Sequence, residues 1–300
     1  DVSFGLVSQP GVSAFQQGKP TNASFDQVGF VYVMRNPRGD NNGFNFAVNY
    51  HKSRNFDYIL SAVGDLKNAS QNTLSYLKAI YGRRAEDGSS IFNLEKTKNG
   101  MIRGTHPFTS QLDNLYYNNL MVDRNNAVTY STATGYDMQR AHTGYIGNYD
   151  LSMSGAISPR FYLGGTIGFH DVHYTGTGEY VEDLVDISNK PLTALMVHDE
   201  KTITGLGVDF KLGAIFLPIE NSPFRIGLSL ASPTFYNLTT NTSAYIRHNF
   251  GSSQSIQNGY PGGKTNASYS FKILTPWNFG ISFGHTVGNY LALGASYNFT

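Results

Sequence analysis

Apolar and polar side chains alternate along several segments of the chain. In residues 43–52, for example, one side of the alternation is apolar, with Phe44, Phe46, Val48 and Tyr50, and the other carries Asn45, Ala47, Asn49 and His51. A repeat of two residues is typical of a strand whose two faces meet different surroundings. The same repeat recurs in 203–216, 224–231, 269–283 and 291–299, and less regularly in 24–35, 142–157 and 161–174. The sequence therefore predicts an all-β protein with eight antiparallel strands, and residues 2–9 are a candidate ninth strand.

The connections between these strands alternate between short and long. The short ones are 36–42, 158–160, 218–223 and 284–290, and the long ones are 53–141, 175–202 and 236–268. Bacterial outer-membrane barrels have short periplasmic turns and long extracellular loops. We therefore predict one transmembrane β-barrel domain over residues 1–300, with 53–141 as a long extracellular loop.

Composition favours a membrane barrel over a soluble sandwich, which the same alternation would also fit. Charged residues make up 14% of the chain and aromatic residues another 14%, whereas soluble domains carry about 25% charged residues. The outer shell of a sandwich built from this chain would have too few charges. The net charge of +1 has no basic block, which argues against nucleic acid as a partner.

The barrel can be drawn in two ways. The chain has no run of 18 apolar residues, so a membrane-spanning form must close its backbone hydrogen bonds in a barrel. Eight strands could close a narrow barrel. Nine could not, because bacterial single-chain barrels have an even number of strands. Of the two, we expect part of a larger barrel.

Two short helices are predicted within 53–141. Apolar residues at helical spacing mark 70–81 and 108–120, with Thr109 or Ser110 as the cap of the second helix. The residues at this spacing are Leu74, Leu77, Tyr81, Phe108, Leu112, Leu115 and Tyr116. They either pack the loop against the barrel mouth or line a vestibule for a hydrophobic ligand, because apolar pockets use the same residue types. We carry them as candidate ligand-binding residues.

Several polar residues lie on the polar face of the predicted strands. A charged side chain that faces hydrocarbon at mid-membrane costs about 2–4 kcal/mol. We therefore expect these residues to point into the lumen and to hydrogen-bond with one another. They are Asn45, Asn49, His51, Asp209, Lys211 and Arg225.

Enzyme motifs are missing from the sequence. It contains no Gly-x-Ser-x-Gly, no phosphate-binding P-loop and no His-Glu-x-x-His, and it has no cysteine for a disulfide or thiol chemistry. His170, Asp171 and His173 are close in sequence, but on a strand Asp171 and His173 share one face while His170 lies on the other. We assign no catalytic residue, metal or cofactor.

Three stretches carry a resemblance to a known family: residues 162–169, residues 222–233, and residues 275–284 with 291–297 after them. They resemble the Bacteroidetes branch of the FadL-type outer-membrane transporters of hydrophobic compounds. The similarity is best over 142–300. The resemblance implies a fourteen-stranded barrel, a hatch that plugs the lumen, loop helices that form a first binding groove, and diffusion of the ligand toward a gap in the wall. We find no hatch before residue 24, so we expect a fragment that lacks the hatch and the C-terminal strands.

These expectations lead to three candidate functions. The first is passive uptake of hydrophobic small molecules, long-chain fatty acid-like or aromatic, with outer-membrane lipids as the surroundings. The second is a barrel adaptor that holds other outer-membrane, secreted or surface proteins. The third is an outer-membrane lipid-modifying enzyme, which would need a Ser–His pair within hydrogen-bond reach.

Overall fold

Over the residues that the structure describes, the protein is mostly antiparallel β-sheet, with 73% strand and two short helices, and the sheet curls into a half-barrel. The computed structural model describes residues 26–34, 43–81, 86–88, 93–98, 102–119, 130–186, 188–248, 264–288 and 290–300. The candidate strand at residues 2–9 and the turn at 36–42 lie outside these ranges. The all-β prediction is confirmed.

Thirteen strands and two helices follow one another along the described ranges. The strands are β1 (Gln27–Met34), β2 (Phe44–Asn55), β3 (Tyr58–Ala69), β4 (Leu94–Lys96), β5 (Ile102–Gly104), β6 (Thr132–Ser158), β7 (Phe161–Val185), β8 (Pro191–Phe216), β9 (Arg225–Ala231), β10 (Phe235–His248), β11 (Lys264–Leu274), β12 (Asn278–Val287) and β13 (Leu291–Phe299). The helices are α1 (Gln71–Ile80) and α2 (Gln111–Asn119). Eleven strands form one sheet, and β4 and β5 form a separate hairpin.

The eleven strands of the large sheet occupy eight side-by-side positions. We call each position a lane; a lane holds either one strand or two consecutive strands placed end to end. β2 and β3 both pair with β6, one after the other, and β9 and β10 pair with β8 in the same way. β12 and β11 continue this arrangement by pairing with β9 and β10. Three lanes therefore consist of two consecutive strands each, and the eight lanes follow chain order as an up-and-down meander. Each of the eight regularly or less regularly alternating segments falls in its own lane.

Two neighbouring lanes are interrupted at the same height. Pro233 separates β9 from β10, and Pro276 separates β11 from β12. Proline has no N–H to donate to a ladder, so a strand cannot pass through it without a break. Thr234 and Thr275 join the two breaks, because each donates its backbone N–H to the other residue, over 2.8 Å to Oγ1 of Thr275 and 3.3 Å to O of Thr234.

The strands extend much further than the alternation predicts, and the three long loops are corrected accordingly. The predicted loop 53–141 contains all of β3 and the start of β6. The predicted loop 175–202 contains the paired ends of β7 and β8, beyond which Asp186 N donates to Lys190 O over 2.9 Å, and 236–268 includes most of β10 and the start of β11. In these parts the sheet has no single continuous apolar face, so the repeat of two is weak.

The two predicted helices are confirmed as α1 and α2. The hydroxyl of Ser70 caps α1 by accepting from N of Thr73 over 2.9 Å. Ser110 and Asp113 form a capping box on α2, in which Asp113 Oδ2 accepts from N of Ser110 over 2.7 Å and N of Asp113 donates to Ser110 Oγ over 3.2 Å. Ser75 Oγ donates to Asp113 Oδ1 over 2.6 Å, which ties the helices together.

The main hydrophobic core lies where α2 covers the far end of the sheet. Leu115 and Tyr116 of α2 pack against residues of β6, β7, β8 and β10. The buried members of this core are Leu115, Tyr116, Ala133, Leu184, Leu195, Val197 and Ile246. The helical segment between β3 and β6 is thus anchored on the sheet by apolar burial.

Candidate functional site

One face of the sheet is apolar and exposed in every lane. Phe30, Val48, Leu151, Ile167 and Phe210 are direct cross-strand neighbours on β1, β2, β6, β7 and β8. Their side chains are between 39% and 63% exposed. The apolar face continues through the last lanes with Leu228, Phe279 and Phe299. We call this surface the apolar face.

The opposite face carries the six residues predicted to line a lumen. Because side chains alternate across a strand, the register places all six on the side away from the apolar face; they are Asn45, Asn49, His51, Asp209, Lys211 and Arg225. Arg225 lies over Gly284, where a Cβ would come within 3.1 Å of its Cγ. Asn45 donates to Ser154 Oγ over 3.4 Å. We call this surface the polar face.

Six side chains from four strands form a closed ring on the polar face, here called the polar ring: His51, Asn148, Asp150, His170, Asp209 and Lys211. His51 lies between Asp150 (Nδ1 to Oδ2, 3.4 Å) and Asn148 (Nε2 to Nδ2, 3.4 Å). His170 lies between Asn148 (Nδ1 to Oδ1, 2.8 Å) and Asp209 (Nε2 to Oδ2, 3.0 Å). Lys211 closes the ring, with Nζ 3.4 Å from Asp150 Oδ1 and 3.5 Å from Asp209 Oδ2.

Gly168 lies inside the polar ring. It pairs with Asp150 on one side and with Asp209 on the other. A Cβ at this position would lie 3.1 Å from Asp150 Oδ1 and closer still to Asp209 Oδ1. Only glycine therefore lets both carboxylates lean over the strand.

One oxygen of the polar ring lacks a partner. Asp209 is 5% exposed, and its Oδ1 has no hydrogen-bond partner among the described residues. A buried acceptor that is left unsatisfied costs about 1–3 kcal/mol, and more when it is charged. Asp209 Oδ1 is therefore available to a donor that enters the ring.

A trough of about 660 Å³ lies on the same side of the sheet as the polar ring, toward the end with the short turns, and the paired hydroxyls of Ser152 and Thr166, 2.9 Å apart, lie between the two. Small uncharged residues dominate the part of it that belongs to the polar face, including Ser154, Gly164, Gly213 and Ser229. On β8 the trough begins at Gly213, two residues beyond Lys211, and on β6 it begins at Ser154, four residues beyond Asp150. The volume lies within the range of about 300–1,000 Å³ that is usual for small-molecule sites.

Sequence reasoning found three of the six ring residues and missed Asn148, Asp150 and His170. The signal for two of them was available, because Asn148 and Asp150 alternate with Tyr149, Leu151 and Met153 in the segment 142–157. The closure of the ring depends on the register of four strands, which no local pattern contains.

The candidate ligand-binding residues of the helical segment fall into two groups. Leu115 and Tyr116 are 2% and 0% exposed, and the partly buried Leu112 packs on the same core. The other four are between 47% and 70% exposed; they are Leu74, Leu77, Tyr81 and Phe108. Ligand binding by either group stays a prediction.

The predicted apolar face of α1 is thus its exposed face. The helix buries Asn72, Ser75 and Ala79 instead. Asn72 Oδ1 accepts from N of Ser131 over 2.7 Å, and Ser75 binds Asp113. Hydrogen bonds rather than apolar area therefore decide which side of α1 faces the protein.

His170, Asp171 and His173 behave as the strand geometry predicts. His173 Nε2 lies 2.9 Å from Asp171 Oδ2, whereas His170 binds Asp209 on the polar face. Among the described residues, no group of three or more histidine, aspartate or glutamate side chains is arranged to hold a metal ion.

Comparisons with family models, curated proteins and solved structures found no match to this chain. Within the described ranges, neither helix is long and apolar enough to cross a membrane.

Proposed function

We propose that this chain forms part of the wall of an outer-membrane β-barrel, and that this barrel admits hydrophobic small molecules by passive diffusion. The observation that carries the proposal is the apolar face, which is exposed across all eight lanes. Soluble monomers rarely expose a contiguous apolar patch of more than a few hundred Å². Hydrocarbon is the surrounding that makes such a face favourable.

The polar face supports the second half of the proposal, because it would line the interior. The glycine and serine residues of the trough leave room for a ligand and carry no charge that an apolar molecule would have to desolvate. The proposal needs no cofactor and no energy source, since a hydrophobic compound can move down its own gradient.

The sheet edges set a requirement on this proposal. In the part of the chain that the structure describes, β1 pairs only with β2 and β13 pairs only with β12. Unpaired backbone groups cannot remain in hydrocarbon. Both edges must therefore meet further strands or each other.

A second candidate, the adaptor, is favoured by the exposed residues of the helical segment. The ring of Tyr81 meets His106 edge-on at 5.4 Å between centroids, and His106 lies 5.1 Å from Phe108. With Leu74 and Leu77, these side chains give the segment exposed apolar surface away from the core. A partner protein could dock there without entering the barrel.

Liposome uptake tests the transport proposal and separates it from the adaptor. The protein is refolded in detergent, reconstituted into liposomes, and the entry of a hydrophobic fluorescent dye is compared with empty liposomes. We expect faster entry with the protein. The double variant Leu77→Glu with Phe108→Glu should slow entry if the exposed residues form a vestibule, and should leave it unchanged if they only dock a partner. If the chain is a soluble monomer without detergent, both the transport proposal and the membrane-barrel adaptor are contradicted.

A further inference from the structure

The interior of the polar ring has a defined electrostatic preference. Two carboxylates, those of Asp150 and Asp209, face one permanent cation, the ammonium of Lys211. That ammonium already contacts both carboxylates, at 3.4 Å and 3.5 Å. The imidazoles of His51 and His170 each bind one of the carboxylates from the side. An anionic ligand would therefore be repelled by Asp150 and Asp209.

The unpartnered Asp209 Oδ1 indicates which kind of ligand group the polar ring prefers. Asp209 Oδ1 is buried and leans over Gly168, and Asp150 Oδ1 reaches toward the same glycine from the other side. Asp150 Oδ1 already accepts from Lys211 Nζ over 3.4 Å, so a group that satisfies Asp209 Oδ1 and also binds Asp150 Oδ1 must donate at least two hydrogen bonds. A primary ammonium has three donors in a compact head, whereas a hydroxyl has one and a carboxylate has none.

The trough supplies the place for an apolar body. It begins one pleat from Lys211 on the same face, and the residues nearest the ring, such as Ser154 and Gly213, carry no charge. A molecule with its head in the ring can extend along the wall into the trough without passing another strand charge until Arg225.

We propose that the polar ring binds the ammonium head of a hydrophobic primary amine, whose apolar body lies in the trough. This inference deepens the proposed function, because it names the class of compound that the interior selects. Asp209 Oδ1 and Asp150 Oδ1 accept from the ammonium, and Gly168 leaves room for both carboxylates to lean toward each other. Amines are bound more tightly than alcohols, and alcohols more tightly than carboxylates.

Isothermal titration calorimetry on the protein in lipid nanodiscs tests this order. The probes are 2-phenylethylammonium, 2-phenylethanol and phenylacetate, which share one aromatic body, and empty nanodiscs provide the blank. We expect the ammonium to bind about tenfold or more tightly than the alcohol, since a hydrogen bond to a charged group outweighs a neutral one. Equal affinities for the ammonium and the alcohol would overturn the proposal, as would binding of sodium ion without binding of the ammonium.

Asp209→Asn is the variant that assigns the site. It keeps the shape of the side chain and removes its charge, so the preference for the ammonium should fall to about threefold or less. The matched control is Asp171→Asn, which alters a carboxylate on the apolar side of β7 that is paired with His173 at 2.9 Å. The control should bind as the wild type does. An unchanged preference in Asp209→Asn, with the protein folded by circular dichroism, refutes the assignment.

The two proposals fail separately. If dye enters the liposomes but the ammonium has no advantage in the nanodiscs, the transport proposal stands and the amine site is wrong. If the ammonium binds selectively but no dye enters, the amine site stands and the transport proposal is wrong.

Discussion

The two ends of the large sheet differ in which face is apolar. At the end with the short turns, the apolar face is exposed and the opposite face carries the polar ring. At the other end, the side of β7 and β8 that continues the polar face is apolar and buried under α2, with Leu184 and Leu195 at 1% and 0% exposed. There the side that continues the apolar face carries exposed Asp183 and Glu200. The same strands therefore expose their apolar side chains at one end of the sheet and bury them under α2 at the other.

This reversal teaches that the surroundings change along the strands. On β7 the exposed apolar series runs through Leu163, Ile167 and Phe169, and Asp171 follows on the same face. Residues 161–169 have a length close to the 9–11 residues of a strand that crosses a bilayer. Hydrocarbon around the first part and water around the rest would explain both halves with one principle, the burial of apolar area.

The largest effect should come from the core under α2. Leu195→Ala removes a fully buried side chain, so the free energy of unfolding should fall by about 2–5 kcal/mol. If the apolar face meets lipid as proposed, Leu212→Ala on the same strand should cost less than about 1 kcal/mol, because leucine in a lipid-facing position contributes only about 0.3–0.6 kcal/mol. Denaturant titration in detergent micelles measures both. Equal losses would mean that the two ends do not differ as described.

Introducing a lysine on either face of β7, near the short turns, tests which face meets hydrocarbon. Ile167→Lys should destabilise the protein in lipid by about 2–4 kcal/mol, because the ammonium would face hydrocarbon. Thr166→Lys, the adjacent residue on the polar face, should cost much less, because its main penalty is the like charge of Lys211 directly opposite on β8. Refolding yield into liposomes at increasing denaturant reports the difference. If Thr166→Lys is the more damaging of the two, the apolar face does not meet lipid.

The smallest effect concerns pH at the junction of α1 with the sheet. Glu182 is fully buried, and its Oε1 accepts from N of Gln71 at the start of α1 over 2.9 Å. Burial raises the pKa of Glu182, although the hydrogen bonds from Gln71 and Tyr180 oppose this. A raised pKa means that the stabilisation is full at low pH and is lost as pH rises through the raised value. Protection of α1 amides from hydrogen exchange, corrected for the intrinsic rate, should therefore fall with rising pH, and Glu182→Gln should flatten this dependence.

Two comparisons guard that prediction. Glu200→Gln, an exposed site on β8, should leave the pH dependence unchanged. Asp113 has the opposite sign, because burial alone would raise its pKa but hydrogen bonds from Lys78, Ser75 and Ser110 hold it below the usual value. Its contribution is present above the ordinary pKa of aspartate and is lost only as pH falls below it. A loss of protection confined to acid would point to Asp113 and away from Glu182.

The sequence predicts the parts of this molecule where one face is uniformly apolar. The eight lanes and the shared face of the six lumen candidates follow from the repeat of two. The far halves of β7 and β8 were predicted as loops, because α2 covers one side there and the other side is mixed. The buried side of α1 was missed for a related reason, since Asn72 and Ser75 are held by hydrogen bonds that no apolar spacing reveals.

The length of β7 also determines how far the helical segment stands from the apolar face. Glu182 follows Phe169 by thirteen residues, which corresponds to about 43 Å along the strand and about 30 Å in height at a tilt of about 45°. That height equals the thickness of the hydrocarbon core itself. In the proposed placement, α1 and α2 would stand clear of the bilayer surface. An antibody, a protease or a bulky label could therefore reach them without contacting the bilayer.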